Sequence, residues 1–171
     1  MTGKAGAAEV LFVAETSEVH RVWQSVFALE DIPEREFFTV AAFAWPALVF
    51  HPDLKFRKFT GSYTAVRDRV VRILCALNNH FPRVITDHQG LPRSVAAAMG
   101  QYQVDLSPES PNTRASEALM RQRDVMYDGS RYRCEWHAKI ERNRNRIHFT
   151  LPAAGPAGRI LIGIFTEHLD V

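Results

Sequence analysis

Six side chains that can move protons or bind phosphate are concentrated towards the end of the chain: Arg133, Glu135, His137, Lys139, Arg146 and His148. Imidazole and carboxylate groups accept and donate protons, while guanidinium and ammonium groups stabilise the negative charge that develops on a reacting phosphate. Imidazole suits both proton transfers because its unperturbed pKa is about 6.5. This combination of residue types predicts acid–base cleavage of a phosphodiester bond.

The spacing of these residues predicts that they share one face of a sheet. Polar and apolar residues alternate through 131–140 and again through 146–151, and a period of two is typical of strands. A polar turn separates the two runs, so the strands would pair antiparallel. Two registers keep the apolar side chains on the core side, one with His137 opposite Thr150 and one, shifted by two residues, with His137 opposite His148. In both registers the six side chains converge.

Each of these residues has a predicted role in the cleavage of RNA. The acid–base candidates, which would take the proton of the attacking 2′-hydroxyl and protonate the leaving 5′-oxygen, are Glu135, His137 and His148. The candidates for binding phosphate are the cations of the same surface, Arg133, Lys139, Arg144 and Arg146. His168, which follows a third strand, is a further candidate member of the site.

We expect no metal ion and no other cofactor, because a 2′-hydroxyl nucleophile needs none. One alternative is a metal site made of Glu135, His137 and His148, although the surrounding arginines and lysines would repel a cation. Another is that the alternating charges are only a solvated strand face with cross-strand ion pairs. The segment Ser107-Pro108-Glu109-Ser110 is interpreted as turn and capping chemistry, since no GxSxG elbow accompanies its serines.

The elements that must position this surface are predicted to form an α+β fold. We expect an antiparallel sheet of four to six strands, with a C-terminal three-stranded meander and about three packing helices. The third strand of the meander, 159–165, is apolar on both faces and therefore central. Helical periodicity and capping signals predict helices at 18–29, 63–80 and 114–127. The remaining predictions are short strands at 9–15 and 54–59, two more within 36–50, and a loop-rich insertion at about 86–113.

Length and composition predict one domain over residues 1–171, with an apolar fraction of 46% that is enough for a proper core. No apolar run reaches the roughly 18 residues that span a bilayer. The N-terminus lacks the long apolar region of a signal peptide, so we expect a cytoplasmic protein with no membrane partner. Cys75 and Cys134 fit buried thiols in a reducing compartment.

Charge is unevenly distributed along the chain, although the net charge is only +2. Residues 1–54 hold eight acids and three bases, whereas residues 131–146 hold six bases and two acids. A dipolar surface of this kind can meet a polyanion on its basic side. We therefore expect nucleic acid, RNA above all, as a partner of the basic side, and a protein partner that docks through the acidic N-terminal third.

The last third of the chain resembles the RelE/ParE superfamily of bacterial toxins. The resemblance rests on helices followed by a three-stranded antiparallel meander, on Arg146-Ile147-His148-Phe149 in the second-to-last strand, and on the apolar run from Arg159 to His168. Ribonucleases of that superfamily place basic and His or Glu side chains on this sheet to cleave ribosome-bound messenger RNA. The resemblance implies that Lys139, Arg146 and His148 take those parts.

Two functions from different classes follow from these patterns. The first is a toxin-like endoribonuclease that cleaves RNA by metal-independent acid–base chemistry. The second is a non-catalytic binding module, or a subunit of a complex, that binds nucleic acid or an acidic protein through the same basic face. Turnover separates the two, because a pure binder gives no product at any protein excess while its affinity falls with salt.

Overall fold

The computed structural model describes residues 18–170 and shows an α+β fold. The helices of this part are α1 (Val19–Leu29), α2 (Phe37–Ala44), α3 (Tyr63–Asn79), α4 (Phe81–Asp87), α5 (Pro92–Gly100), α6 (Pro111–Ala115) and α7 (Glu117–Arg121). The strands are β1 (Leu48–Phe50), β2 (Asp105–Pro108), β3 (Asp124–Tyr127), β4 (Ser130–Arg133), β5 (Trp136–Lys139), β6 (Arg146–Phe149) and β7 (Ile160–Thr166). Five strands form a mixed sheet in the order β1-β7-β6-β5-β2, and β3 pairs with β4 in a separate hairpin. The predicted fold class is confirmed, with more helices than expected.

The C-terminal meander of β5, β6 and β7 is confirmed, and its register is the second of the two that the sequence allows. His137 lies opposite His148, and Lys139 lies opposite Arg146. β7 is flanked by β6 on one side and by the parallel strand β1 on the other. This central position explains why β7 is apolar on both faces.

Helical packing covers one face of β5 and β6 and leaves the other face for the histidines. Phe81 of α4 makes edge-on ring contacts with Trp136 of β5 and with Phe149 of β6. Because side chains alternate between the two faces of a strand, His137 and His148 point away from this core. The apolar partners of the meander therefore orient its imidazoles.

The longest helix, α3, has the start and the buried face that the sequence predicts. The hydroxyl of Ser62 accepts a hydrogen bond from the backbone N–H of Ala65 at 3.3 Å and caps the helix. The predicted apolar stripe faces the core through Val66, Val70, Ile73, Leu74 and Leu77. The helix predicted at 18–29 is also confirmed as α1. Within residues 18–170 no helix, α3 included, has the length and apolar character needed to cross a bilayer.

The segment 36–50 forms a helix and a strand, so the prediction of two strands is wrong in its first half. Phe37, Ala41 and Ala44 of α2 are buried at helical spacing, but the uniform apolarity of the segment conceals this period. Pro46 separates α2 from β1. The strand predicted at 54–59 is replaced by a short 3-10 turn, Phe56–Lys58.

The helix predicted at 114–127 is wrong as a single element. Ser116 ends α6 and caps α7 with its side chain, and β3 follows soon after. Asp128 and Gly129 both have positive φ, 48° and 72°, between the paired strands β3 and β4. Two successive positive φ angles are the geometry of the tightest hairpin turns, for which Asp-Gly is a preferred sequence.

The range 86–113 is part of the core, although a loop-rich insertion was predicted there. It contains α5 and β2, and its residues Val95, Met99 and Leu106 are buried in the main hydrophobic cluster. β2 pairs with β5, and because these strands are far apart in the sequence, no local pattern predicts this pairing. The strand predicted at 9–15 lies outside the described residues.

The long polar strand predicted at 131–140 is interrupted at Cys134 and Glu135. The backbone N–H of Cys134 donates to the carbonyl oxygen of Arg123 at 2.8 Å, where the chain leaves the β3–β4 hairpin and enters the five-stranded sheet. Arg133 therefore belongs to the hairpin and His137 to the sheet, so the predicted common strand face does not include Arg133.

Gly163 in β7 has no room for a side chain. A Cβ atom there would lie 2.2 Å from Sγ of Cys134 and 3.3 Å from Cγ2 of Val125. Burial raises the pKa of Cys134 to about 12, so this thiol acts as a packing group at neutral pH. Cys134 and the half-buried Cys75 are both free thiols, as predicted.

We expect Gly163→Ala to lower the free energy of unfolding by about 1–3 kcal/mol, because overpacking a filled core forces its neighbours to move. Urea denaturation measures the change. Gly100→Ala is the matched control, since a Cβ atom there meets nothing within 4 Å. Adding Cys134→Ala to Gly163→Ala should recover part of the loss. Equal stability of Gly163→Ala and the unmodified protein would contradict the close contact.

Candidate functional site

A cleft of about 630 Å³ opens beside β5 and β6, where the segment after β2 and the C-terminal tail approach the sheet. Its lining includes imidazoles, guanidinium groups and a carboxylate. The lining residues are Ser107, Pro108, Glu109, Ser110, Asn112, Thr113, Arg123, His137, Arg146, His148, His168 and Leu169. The volume lies in the range of small-ligand sites.

His137, His148 and Glu109 form the floor of this cleft and are called the floor cluster below. His137 and His148 are cross-strand neighbours whose ring centroids lie 5.3 Å apart. Glu109 directly follows β2, and its backbone N–H donates to the carbonyl oxygen of Glu135 at 3.0 Å. Oε1 of Glu109 lies 3.4 Å from Nδ1 of His137 and 3.6 Å from Nδ1 of His148. One carboxylate oxygen thus faces two imidazoles.

A buried arginine holds Glu109 in place. Arg123 follows α7 and is 1% exposed, and its Nε donates to Oε1 of Glu109 at 3.1 Å. Its two other nitrogens donate to the backbone carbonyl oxygens of Leu119 at 2.9 Å and Asp170 at 2.7 Å. Arg123 therefore ties α7 and the C-terminal tail to the carboxylate of the floor cluster.

Burial and neighbouring charges set the ionisation of the floor cluster. Burial alone raises the pKa of Glu109, but interactions with His137 and Arg123 outweigh it and lower the pKa to about 2. Burial lowers the pKa of His148 to about 3, and His137 acts in the same direction. At neutral pH the floor cluster therefore contains an ionised carboxylate and a neutral His148.

Arg146 places a cation on the wall of the cleft. Its guanidinium group is half-buried and donates to the backbone carbonyl oxygens of Glu141 and Arg142, each at 3.4 Å. Within residues 18–170 no carboxylate forms a salt bridge with it. Burial lowers the pKa of Arg146, which starts so high that the group stays charged. The exposed imidazole of His168 lines the same cleft.

Two predicted site residues, Arg133 and Glu135, lie outside the cleft. Arg133 pairs with Asp124 at 2.7 Å and with Glu117 at 2.9 Å. Glu135 pairs with Arg114 at 3.2 Å. Each of these side chains is therefore held by a partner of opposite charge away from the floor cluster.

The other two predicted phosphate-binding residues, Lys139 and Arg144, are also neutralised by carboxylates outside the cleft. Lys139 pairs with Asp105 at 3.1 Å, and Arg144 pairs with Glu141. The structure thus brings His137, His148, Arg146 and His168 together, as the sequence suggested, and leaves four other predicted members elsewhere.

Two members of the site, Glu109 and Arg123, are absent from the sequence-based set. Glu109 lies in a loop sequence that was interpreted as capping, and Ser110 does cap α6 as expected. Arg123 falls in a segment that was assigned to a helix. The local sequence offers no signal for this role, because only the β2–β5 pairing carries Glu109 to the histidines.

The resemblance of the C-terminal third to RelE/ParE toxins stays a prediction, since the confirmed meander is a strand pattern that many folds share. No family model, no curated protein and no solved structure matches this chain.

Proposed function

We propose that this protein cleaves single-stranded RNA in the cleft, and that the floor cluster and Arg146 perform the reaction. The observation that carries the proposal is the placement of a carboxylate and two imidazoles beneath a wall that holds Arg146, which forms no salt bridge with a carboxylate of residues 18–170. A phosphate drawn to Arg146 would lie beside groups that handle protons.

In the proposed reaction the 2′-oxygen of a ribose attacks the adjacent phosphorus, so that the O2′–P bond forms and the P–O5′ bond breaks. The floor cluster takes the proton of the 2′-hydroxyl, and His168 donates a proton to the leaving 5′-oxygen. Arg146 stabilises the charge that builds on the phosphate oxygens. The products are a 2′,3′-cyclic phosphate end and a 5′-hydroxyl end.

The size and charge of the cleft favour a single strand over a duplex. A volume of about 630 Å³ suits a nucleotide unit and is too small for a double helix. Ion pairs neutralise Arg133, Lys139 and Arg144, which reduces the broad basic face expected from the sequence. Arg123 and Arg146 are the two arginines in the lining of the cleft, so affinity for RNA should depend weakly on salt, with a slope of about −0.7 per phosphate contacted.

Incubation of purified protein with mixed RNA and DNA, followed by gel analysis, tests the proposal. We expect RNA fragments with cyclic phosphate ends and intact DNA, because DNA lacks the 2′-hydroxyl. Arg146→Gln should lower the rate by about 10²-fold, the typical effect of losing one group that stabilises a developing anion. Arg142→Gln, at an exposed arginine in the adjacent turn, should leave the rate unchanged. Intact RNA at protein excess would overturn the proposal, and salt-sensitive binding without product would favour the binding module.

One contact favours a second candidate reaction, the hydrolysis of an ester by a serine nucleophile. Oγ of Ser107 lies 3.5 Å from Nε2 of His137, whose Nδ1 faces Glu109. Serine hydrolases activate their nucleophile with groups in this order. Ser107→Ala separates the candidates, since it should abolish ester hydrolysis and labelling by a fluorophosphonate probe, whereas RNA cleavage should continue at a rate reduced by no more than about 100-fold.

A further inference from the structure

The floor cluster contains buried nitrogen atoms that have no hydrogen-bond partner among residues 18–170. Both ring nitrogens of His148 and Nδ1 of His137 are buried, and within the described part of the chain none makes a hydrogen bond of ordinary geometry. His148 is only 2% exposed. Buried polar groups are hydrogen-bonded in the great majority of cases, so three such atoms at one place need a physical cause.

His51 shows how the same fold accommodates a buried histidine with a structural role. It is 8% exposed, and its Nε2 lies 2.9 Å from the carbonyl oxygen of Met126. Its Nδ1 accepts a hydrogen bond from the backbone N–H of Asp53 at 3.2 Å. Both nitrogens of His51 have hydrogen-bond partners, whereas among residues 18–170 neither nitrogen of His148 has one.

The separations within the floor cluster match those between ligands of one metal ion. Oε1 of Glu109 lies 3.4 Å and 3.6 Å from the two Nδ1 atoms, and one ligand atom from each of the three residues lies within 4.8 Å of the others. Ligands bound at 2.0–2.2 Å to a tetrahedral zinc ion lie about 3.3–3.6 Å apart. Two histidines and one carboxylate with an open fourth position form a catalytic zinc site.

We propose that Glu109, His137 and His148 bind a divalent transition-metal ion, with zinc as the ion that best fits this donor set. The surrounding contacts are those that orient metal ligands. Arg123 donates to the carboxylate of Glu109, and the hydroxyl of Ser107 lies beside the outer nitrogen of His137. Such outer partners fix the ring and carboxylate orientations of metal sites.

The absence of a metal was expected because the sequence places many cations near the histidines. In the structure Arg133, Lys139 and Arg144 are paired with carboxylates outside the cleft. Arg123 is the cation nearest Glu109. Its guanidinium group donates hydrogen bonds to two backbone carbonyl oxygens as well as to the carboxylate. The repulsion predicted from composition is therefore limited, within the lining of the cleft, to that of Arg123 and of Arg146.

A metal ion at this place deepens the proposed RNA cleavage, and in its catalytic part the inference rests on that proposed function. A bound divalent ion can lower the pKa of a coordinated water to about 7. It would thereby supply a base at neutral pH beside the phosphate that Arg146 binds.

Calorimetric titration of chelator-treated protein with zinc chloride tests the site. We expect one zinc ion per chain, and a visible absorption spectrum of four-coordinate cobalt when cobalt chloride replaces zinc. Glu109→Gln and His137→Gln should each weaken binding by more than about 100-fold, since loss of an outer partner alone typically costs 10–100-fold. Glu135→Gln and His88→Gln, which change the same residue types outside the cleft, should bind zinc like the unmodified protein.

Equal zinc binding by the unmodified protein, Glu109→Gln and His137→Gln would overturn the metal site, as would the lack of one-to-one binding. Circular dichroism shows whether each variant is folded. Protection of histidines from diethyl pyrocarbonate by zinc gives a measurement that needs no variant, and unchanged modification would also overturn the site. Zinc binding without RNA cleavage would overturn the proposed function alone. RNA cleavage in EDTA by a protein that binds no zinc would overturn the metal inference alone.

Discussion

Arg123→Met is expected to lower the free energy of unfolding by about 3–5 kcal/mol, because it leaves the carboxylate of Glu109 buried without a compensating charge. The side chains of Arg123 and Glu109 are only 1% and 4% exposed, and water cannot replace the lost partner. The substitution also removes the donors to the carbonyl oxygens of Leu119 and Asp170. Urea denaturation in the presence of EDTA measures the combined effect of these losses without a contribution from bound metal.

Arg114→Met is the matched control for this prediction. Arg114 pairs with Glu135, but the two side chains are 42% and 35% exposed, so the pair should contribute no more than about 1 kcal/mol. A double variant, Arg123→Met with Glu109→Leu, should recover much of the loss, since apolar replacement of a whole buried pair is often neutral. A loss below about 1 kcal/mol for Arg123→Met would contradict the assigned role of the pair.

For the proposed cleavage of RNA, Glu109→Gln is expected to lower the rate by about 10²–10⁴-fold, the usual contribution of a group that assists proton transfer. Glu135→Gln, at the carboxylate that the sequence favoured, should leave the rate unchanged because Glu135 pairs with Arg114 outside the cleft. Glutamine at position 109 keeps an oxygen that accepts from Nε of Arg123, and two backbone carbonyl oxygens still accept from the guanidinium group, so the variant should fold with reduced stability. Single-turnover rates with a short RNA measure both variants.

Glu109→Gln and Glu135→Gln are closely matched variants because the two residues are neighbours in the structure. The backbone N–H of Glu109 donates a hydrogen bond to the carbonyl oxygen of Glu135. A general disturbance of this part of the sheet should affect both variants alike. Equal rates in Glu109→Gln and the unmodified protein would remove Glu109 from the reaction. A loss in Glu135→Gln with normal rates in Glu109→Gln would restore the assignment made from the strand pattern.

Local sequence patterns predict a helix or strand correctly where the periodicity of its apolar residues lies within that one element. The alternation through β5 and β6 predicted their pairing, and the capped apolar stripe after Ser62 predicted α3. Both patterns are recognisable in the sequence because each of these elements buries only one face. They fail in α2, where nearly every residue is apolar and no face stands out. The β3–β4 hairpin was missed although Asp128-Gly129 is a strong turn signal, because a helical interpretation of the preceding residues took precedence.

The amino-acid sequence by itself determined that His137 and His148 lie on the polar side of adjacent strands, because a period of two carries that information within a few residues. Only the tertiary structure decided which carboxylate meets them. Glu109 reaches the imidazoles through the pairing of β2 with β5, and Arg123 reaches Glu109 from the end of α7. Contacts between distant segments leave no periodic trace in a sequence, since they depend on how whole elements pack.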